Sequence, residues 1–196
     1  VVKPFRHRLL TLREAEHALR AELAQSGEAP GGYHPRLRQL HEANARELEL
    51  IIDDDGWPTP EVAGEDGAEA AWLIAMHAVS RPTFMRRCLV QLKGEANRGD
   101  APPRHAAMLD DRIRALEGRP QRYGTQLDWQ GGRLTPLPIE DRDGVDARRA
   151  AVGLAPLAET IATARDAAKS DGAPPPEEWE ASSDVLDALA KEVGWR

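Results

Sequence analysis

Sulfur, aromatic rings and lysine are all scarce in this chain. Cys88 is the only cysteine among 196 residues. One thiol excludes an internal disulfide and any cysteine-cluster metal site, and makes a reducing compartment the expectation. Aromatic residues make up 5%, and 4 lysines stand against 22 arginines. The arginines are scattered rather than gathered into a stripe, as coding bias in a high-GC bacterium would leave them. With 26 basic residues against 33 acidic ones, the formal charge of −7 disfavours non-specific binding to nucleic acid. No apolar run approaches the ~18 residues needed to span a membrane. The start, Val1-Val2-Lys3-Pro4, has no initiator Met and no signal-peptide core. It leaves open what precedes residue 1, and a cytoplasmic location is expected. The Walker A and Rossmann glycine fingerprints, HExxH and GxSxG are missing too, so no cofactor is expected.

What is present is mostly helical periodicity. Leu9, Leu12, Leu19 and Leu23 predict a helix over 4–25, and Leu37, Leu40, Ala43, Leu48 and Ile51 a second over 34–53. Asp53-Asp54-Asp55-Gly56 ends the second helix without the ligand alternation of a calcium loop. Trp57 follows in a Pro-rich loop, where it must cover the core or line a cavity. Residues 66–79 are the most apolar helical stretch and carry His77 in their last turn. Helices over 82–99 and 104–117 follow, with Cys88 expected as a small core residue and Asp110 on a solvated face.

The period then changes. Directly after Gly118-Arg119-Pro120, the segment Gln121-Arg122-Tyr123-Gly124-Thr125-Gln126 packs hydrogen-bonding side chains around one glycine. Tyr123, Thr125, Leu127 and Trp129 alternate with smaller or polar residues, predicting a strand. Gly131-Gly132 is a hairpin turn signal, and 133–137 returns as an edge strand marked by Pro136 and Pro138. A short helix with Arg148 and Arg149 and another over 155–169 complete the main body. The expected fold is mainly α: a bundle of about six or seven helices with one β-hairpin at about 121–138. A single helical domain is expected over 1–170. A Pro-rich linker and a terminal helix with Trp179, Val185, Leu186, Leu189 and Val193 are expected over 171–196.

The separated motifs Gly56-Trp57-Pro58, Ala71-Trp72-Leu73 with His77-Ala78, Asp111-Arg112, Gln121 to Gln126, Pro138-Ile139-Glu140-Asp141, and Arg148-Arg149 with Gly153-Leu154 resemble an uncharacterised bacterial group, domain-of-unknown-function family 6624. The resemblance covers about Gly56 to Leu157. Members often have Gln where this chain has Met76, so any part that side chain plays is altered here. The resemblance implies where a polar site lies, and no chemistry.

The motif residues that are not core-like point to acid–base work. A histidine and an aspartate can share a proton, the carboxylate fixing the tautomer and raising imidazole basicity. His77, Asp111 and Tyr123 are therefore the candidate catalytic residues. The structural reading of His77 is a buried ring donating to a carbonyl at a helix C-terminus. Arg112 suits a carboxylate or phosphate, and Gln121 and Gln126 suit amide or carbonyl groups. Trp57 and Asp141 complete the candidate substrate-binding set. A metal held by His77, Asp111 and Asp141 would need His105 as a second histidine, and no metal is expected. Asp111 and Arg112 have a structural reading as a buried ion pair. The expected function is that of a cofactor-independent bacterial enzyme, in specialised metabolism, acting on a polar small molecule or a peptide. No nucleic-acid or membrane partner is expected. The alternative is a non-catalytic peptide- or protein-binding module.

Overall fold

The helical periods of the first hundred residues translate into four helices, but the expected stripes of the first two are only partly buried: Leu9, Leu23, Leu48 and Ile51 are, Leu12, Leu19, Leu37 and Leu40 are half-buried, and Ala43 is exposed. In the computed structural model, which describes residues 3–27, 33–130, 132–170 and 187–196, α1 spans Phe5–Ser26 and buries Phe5, Leu9, Glu16 and Leu23. Their spacing of four and seven places them on one face. Helix α2, Pro35–Asp55, starts where Pro35 fixes φ and the His34 ring accepts the Arg36 N–H. Its buried face is His41, Asn44, Ala45, Leu48, Ile51 and Ile52. Two of the residues on these apolar faces, Glu16 and His41, are ionisable.

Helix α3, Pro60–His77, is the central one expected, but it starts earlier than 66. The chain makes one turn after Pro60, breaks at Gly64, where φ is 72°, and resumes. Only glycine adopts that conformation without strain. Beyond the break, Ala68, Ala70, Ala71, Trp72, Ile74, Ala75 and Met76 are buried. Helix α4, Pro82–Arg98, buries Phe84, Met85, Cys88, Leu89 and Leu92. Helix α1 packs on both α2 and α3, and α2 packs on α3. Trp57 is buried in the same unit, as is Cys88, whose thiol burial pushes up to about 12. Burial thus disfavours the thiolate that nucleophilic chemistry would need.

Two compact units divide the chain, the first ending at Ala106 and the second running from Ala107 to Arg196, so that α5, Pro103–Leu116, begins in one and ends in the other. In the second unit β1, Leu127–Gln130, pairs antiparallel with β2, Arg133–Pro136, in the register Leu127↔Pro136 to Gln130↔Arg133. Helix α6 is Val145–Ala151; α7, Leu157–Ser170, packs on β2. Residues 187–192 are helical, and Leu189, Ala190 and Trp195 are buried. The expected linker and Trp179, Val185 and Leu186 lie outside the described residues.

The hairpin is present but shorter than the alternation suggests. Residues 121–126 are not strand: their N–H groups turn to a side chain, and Gln121 makes only an isolated parallel bridge to Ile139. Asp110, expected on a solvated face, is buried, with Arg114 Nε 3.8 Å from its carboxylate. The fold is mainly α with one two-stranded antiparallel hairpin among the described residues. No helix among them is long and apolar enough to cross a membrane.

Candidate functional site

Three ionisable side chains, one from each of α1, α2 and α3, meet inside the first unit. Glu16 and His41 replace apolar residues on the buried faces of their helices, and His77 closes the last turn of α3. His77 Nδ1 lies 3.0 Å from Glu16 Oε2, a hydrogen bond. His41 Nε2 lies 3.3 Å from Glu16 Oε1, within ion-pair reach but off the line of a hydrogen bond, and that buried nitrogen has no hydrogen-bond partner. The opposite nitrogen of the same ring, Nδ1, is 2.7 Å from the Tyr33 hydroxyl. Tyr33, His41 and His77 form a stack, with ring centroids 5.5 and 4.9 Å apart. Arg20 Nε, one turn along α1, donates to Glu16 Oε1 at 2.7 Å.

Exposure separates the three. Glu16 and His41 side chains are 4% and 3% exposed, whereas His77 is 25% exposed. His77 is thus the edge of the cluster that meets solvent. Burial pushes the Glu16 carboxyl up, but the neighbouring His41, His77 and Arg20 outweigh it and hold the group well below the usual carboxylate range. A carboxylate that stays ionised while buried stabilises positive charge arriving beside it, whether a proton on an imidazole or a cation. Donor atoms of all three residues lie within 4.8 Å of one another, close enough to serve one metal ion.

The remaining candidate residues, Trp57 apart, belong to the second unit, and there the motif segment folds around Asp111. This side chain is fully buried, and it accepts the N–H groups of Arg122 at 2.7 Å, Tyr123 at 3.1 Å and Thr125 at 3.0 Å, together with the Thr125 hydroxyl at 3.0 Å. Gln121 is equally buried. Its amide nitrogen donates to the Gln126 and Leu137 carbonyls, and its amide oxygen accepts the Gln126 N–H at 2.6 Å. Arg112 donates to the Gln126 side-chain oxygen at 3.1 Å. Arg149, 1% exposed, donates to the carbonyls of Tyr123 and Ala155 and to the Thr160 hydroxyl. Asp141 accepts from Arg148, which also donates to the Arg122 and Glu140 carbonyls. The sixfold polar segment is therefore a hydrogen-bonded knot that fixes its own backbone, with Tyr123 half-buried beneath the Arg122 guanidinium, 5.9 Å from the ring centroid.

Of the residues singled out in the sequence, Asp111, Arg112, Gln121, Tyr123 and Gln126 come together, and Asp141 is tied to the same loop through Arg148. His77 instead finds its carboxylate in Glu16, within its own unit, while Asp111 spends both oxygens on the loop. His105 is buried against Trp72, the two rings 4.4 Å apart and nearly parallel. The Trp72 indole N–H donates to the His105 backbone carbonyl at 3.2 Å.

Glu16, His41 and Tyr33 were not singled out. A signal for the first two exists: Leu9, Glu16 and Leu23 are seven apart, as are His41 and Leu48, so each ionisable group occupies an apolar register position. Tyr33 lies outside any helix and carried no such mark.

The chain belongs to the family described as Family of unknown function (DUF6624), which matches residues 4–171 and so extends well beyond the 56–157 span of the motifs, taking in Glu16, Tyr33 and His41. No curated protein and no solved structure matches the chain.

Proposed function

We propose that this member of the family is an enzyme that moves protons on a polar small molecule or a peptide, at the solvent-facing edge of the Glu16–His41–His77 cluster. The supporting observation is the buried Glu16 carboxylate hydrogen-bonded to a histidine that itself opens to solvent. An imidazole so held keeps one tautomer and gains basicity, as a general acid or base requires. Glu16 takes the part that the sequence suggested for Asp111. Tyr33 and His41 stack behind His77 and hold the ring in place. The knot around Asp111 serves as scaffold, with Tyr123, Gln126 and Arg112 as the groups it presents. The setting we assign, a bacterial cytoplasm, rests on composition alone.

The test is a thermal-shift screen of metabolites and short peptides on wild type and His77→Ala, followed by turnover assays on each ligand found. A ligand that stabilises wild type but not a still-folded His77→Ala is expected, with turnover reduced ~10²–10⁴-fold in the variant. Equal stabilisation of both proteins, without turnover by wild type, would leave a recognition module in place of an enzyme.

A further inference from the structure

We propose that Glu16, His41 and His77 together bind one divalent first-row transition ion, zinc being the best match to the donor set. This rests on reading the cluster as the working site, but makes His77 a ligand of the ion, so that an ion-bound water in place of the imidazole would move the proton. Two imidazoles and one carboxylate are a recurrent ligand set for zinc with a fourth position left open. Each comes from a different helix, so the donors converge without any loop having to order.

The distances fit. Ligands bound at ~2.0–2.2 Å in a tetrahedral site stand ~3.3–3.6 Å from one another, and somewhat closer in five- or six-coordinate sites. The His41 Nε2 to Glu16 Oε1 separation is 3.3 Å, and His77 Nδ1 to Glu16 Oε2 is 3.0 Å. A hydrogen bond accounts for the second pair but not for the first. His41 Nε2 is buried, 3.3 Å from a carboxylate oxygen and lacking a hydrogen-bond partner, an arrangement that costs free energy without a cation to share.

The surroundings are those of a metal site as well. A ligating histidine ordinarily has its other ring nitrogen fixed by a polar group, and Tyr33 does this for His41. A ligating carboxylate is ordinarily held by a further donor, and Arg20 does this for Glu16. The rings of His41 and His77 are tilted by only 22°. Coordination by both asks the partly exposed His77 ring to turn about its Cβ–Cγ bond until the two planes converge. The remaining position then faces solvent beside His77. One carboxylate against a divalent ion and Arg20 leaves net positive charge there, which suits hydroxide or the carbonyl, carboxylate or phosphoryl oxygen of a substrate.

Full-length protein is stripped by dialysis against a chelator and titrated with Zn²⁺ and Co²⁺. One ion per chain is expected, with cobalt giving the visible absorption of a four- or five-coordinate site. His41→Gln and Glu16→Gln should weaken binding at least ~100-fold, and Tyr33→Phe ~10-fold. Because the buried variants can fail to fold, wild type is also loaded with Cu²⁺ and its coordinated imidazoles counted by pulsed EPR. Two are expected. Fewer than two, no stoichiometric ion, or wild-type affinity in a folded His41→Gln would overturn the inference. Metal-free protein with His77-dependent turnover would overturn it too while leaving the acid–base reading intact. An ion held by the three side chains in a protein that no substrate engages would do the reverse.

Discussion

At the scale of single residues, an ionisable group on an apolar face is costly to bury and informative once found. His105 shows a second such group with a different solution. It stacks flat on Trp72, and burial, reinforced by the charge of Arg104, lowers its pKa from 6.5 to about 4. The unfolded chain therefore takes up a proton as pH falls through 6.5, while the folded chain resists until near 4. Stability is fully present above 6.5 and is lost progressively as pH falls between these values, by at most about 3 kcal/mol. His105→Phe keeps a flat ring against Trp72 and removes the titration. Its urea midpoint is expected to fall less than that of wild type between pH 7 and pH 4; parallel slopes for the two proteins would refute the assignment. Neither His105 nor Glu16 is decipherable from its immediate neighbours in the chain. Periodicity says that position 16 faces inward, but not which histidines await it from α2 and α3.

At the scale of elements, the helices of the first unit were legible because each has a simple period and a proline or glycine at its ends. The motif segment was not. Alternation of Tyr123, Thr125, Leu127 and Trp129 reads as strand, yet only the last two belong to one, because Asp111 draws three N–H groups of 122–125 away from any ladder. A side chain eleven residues or more away in sequence decides that loop. Asp111→Asn is therefore expected to cost ~2–4 kcal/mol, since an amide nitrogen would face N–H groups that need an acceptor. The measurement is amide exchange at 122, 123 and 125, which should speed up far more than exchange in β1. Gly124 makes a sharper test. Its φ is 68°, and an added Cβ would sit 2.7 Å from Ile139 Cδ1 and 3.0 Å from Leu157 Cδ1. At Gly153 φ is 74° but an added Cβ meets nothing within 4 Å. Gly153→Ala should lose only the ~1–2 kcal/mol of the left-handed backbone, and Gly124→Ala ~1–3 kcal/mol more. Equal losses in denaturant midpoint would mean that the loop yields easily and is no rigid platform.

At the scale of the whole molecule, the question is whether the ionisable cluster holds the first unit together or is carried by it. Leu9, Leu23, Leu48, Ile51, Ile52, Trp57, Ile74 and Met85 already give that unit an apolar core independent of Glu16 and His41. Removing one member of a buried charged set leaves the others uncompensated and is expected to cost ~3–5 kcal/mol, so Glu16→Leu alone should be severe. Replacing the buried members together removes the need for compensation. Glu16→Leu with His41→Leu restores the apolar register of α1 and α2, and such exchanges are often neutral or stabilising by ~1–4 kcal/mol. The double variant, with His77 retained at the exposed edge, is thus expected to melt at or above the wild-type temperature while losing the response to zinc and to any ligand found in the screen. That outcome identifies the cluster as a place where stability is given up for chemistry. A double variant that melts well below wild type, with its losses adding rather than cancelling, would make Glu16, His41 and His77 the polar centre of a structural core, and the search for a site would move to Tyr123, Gln126 and Arg112.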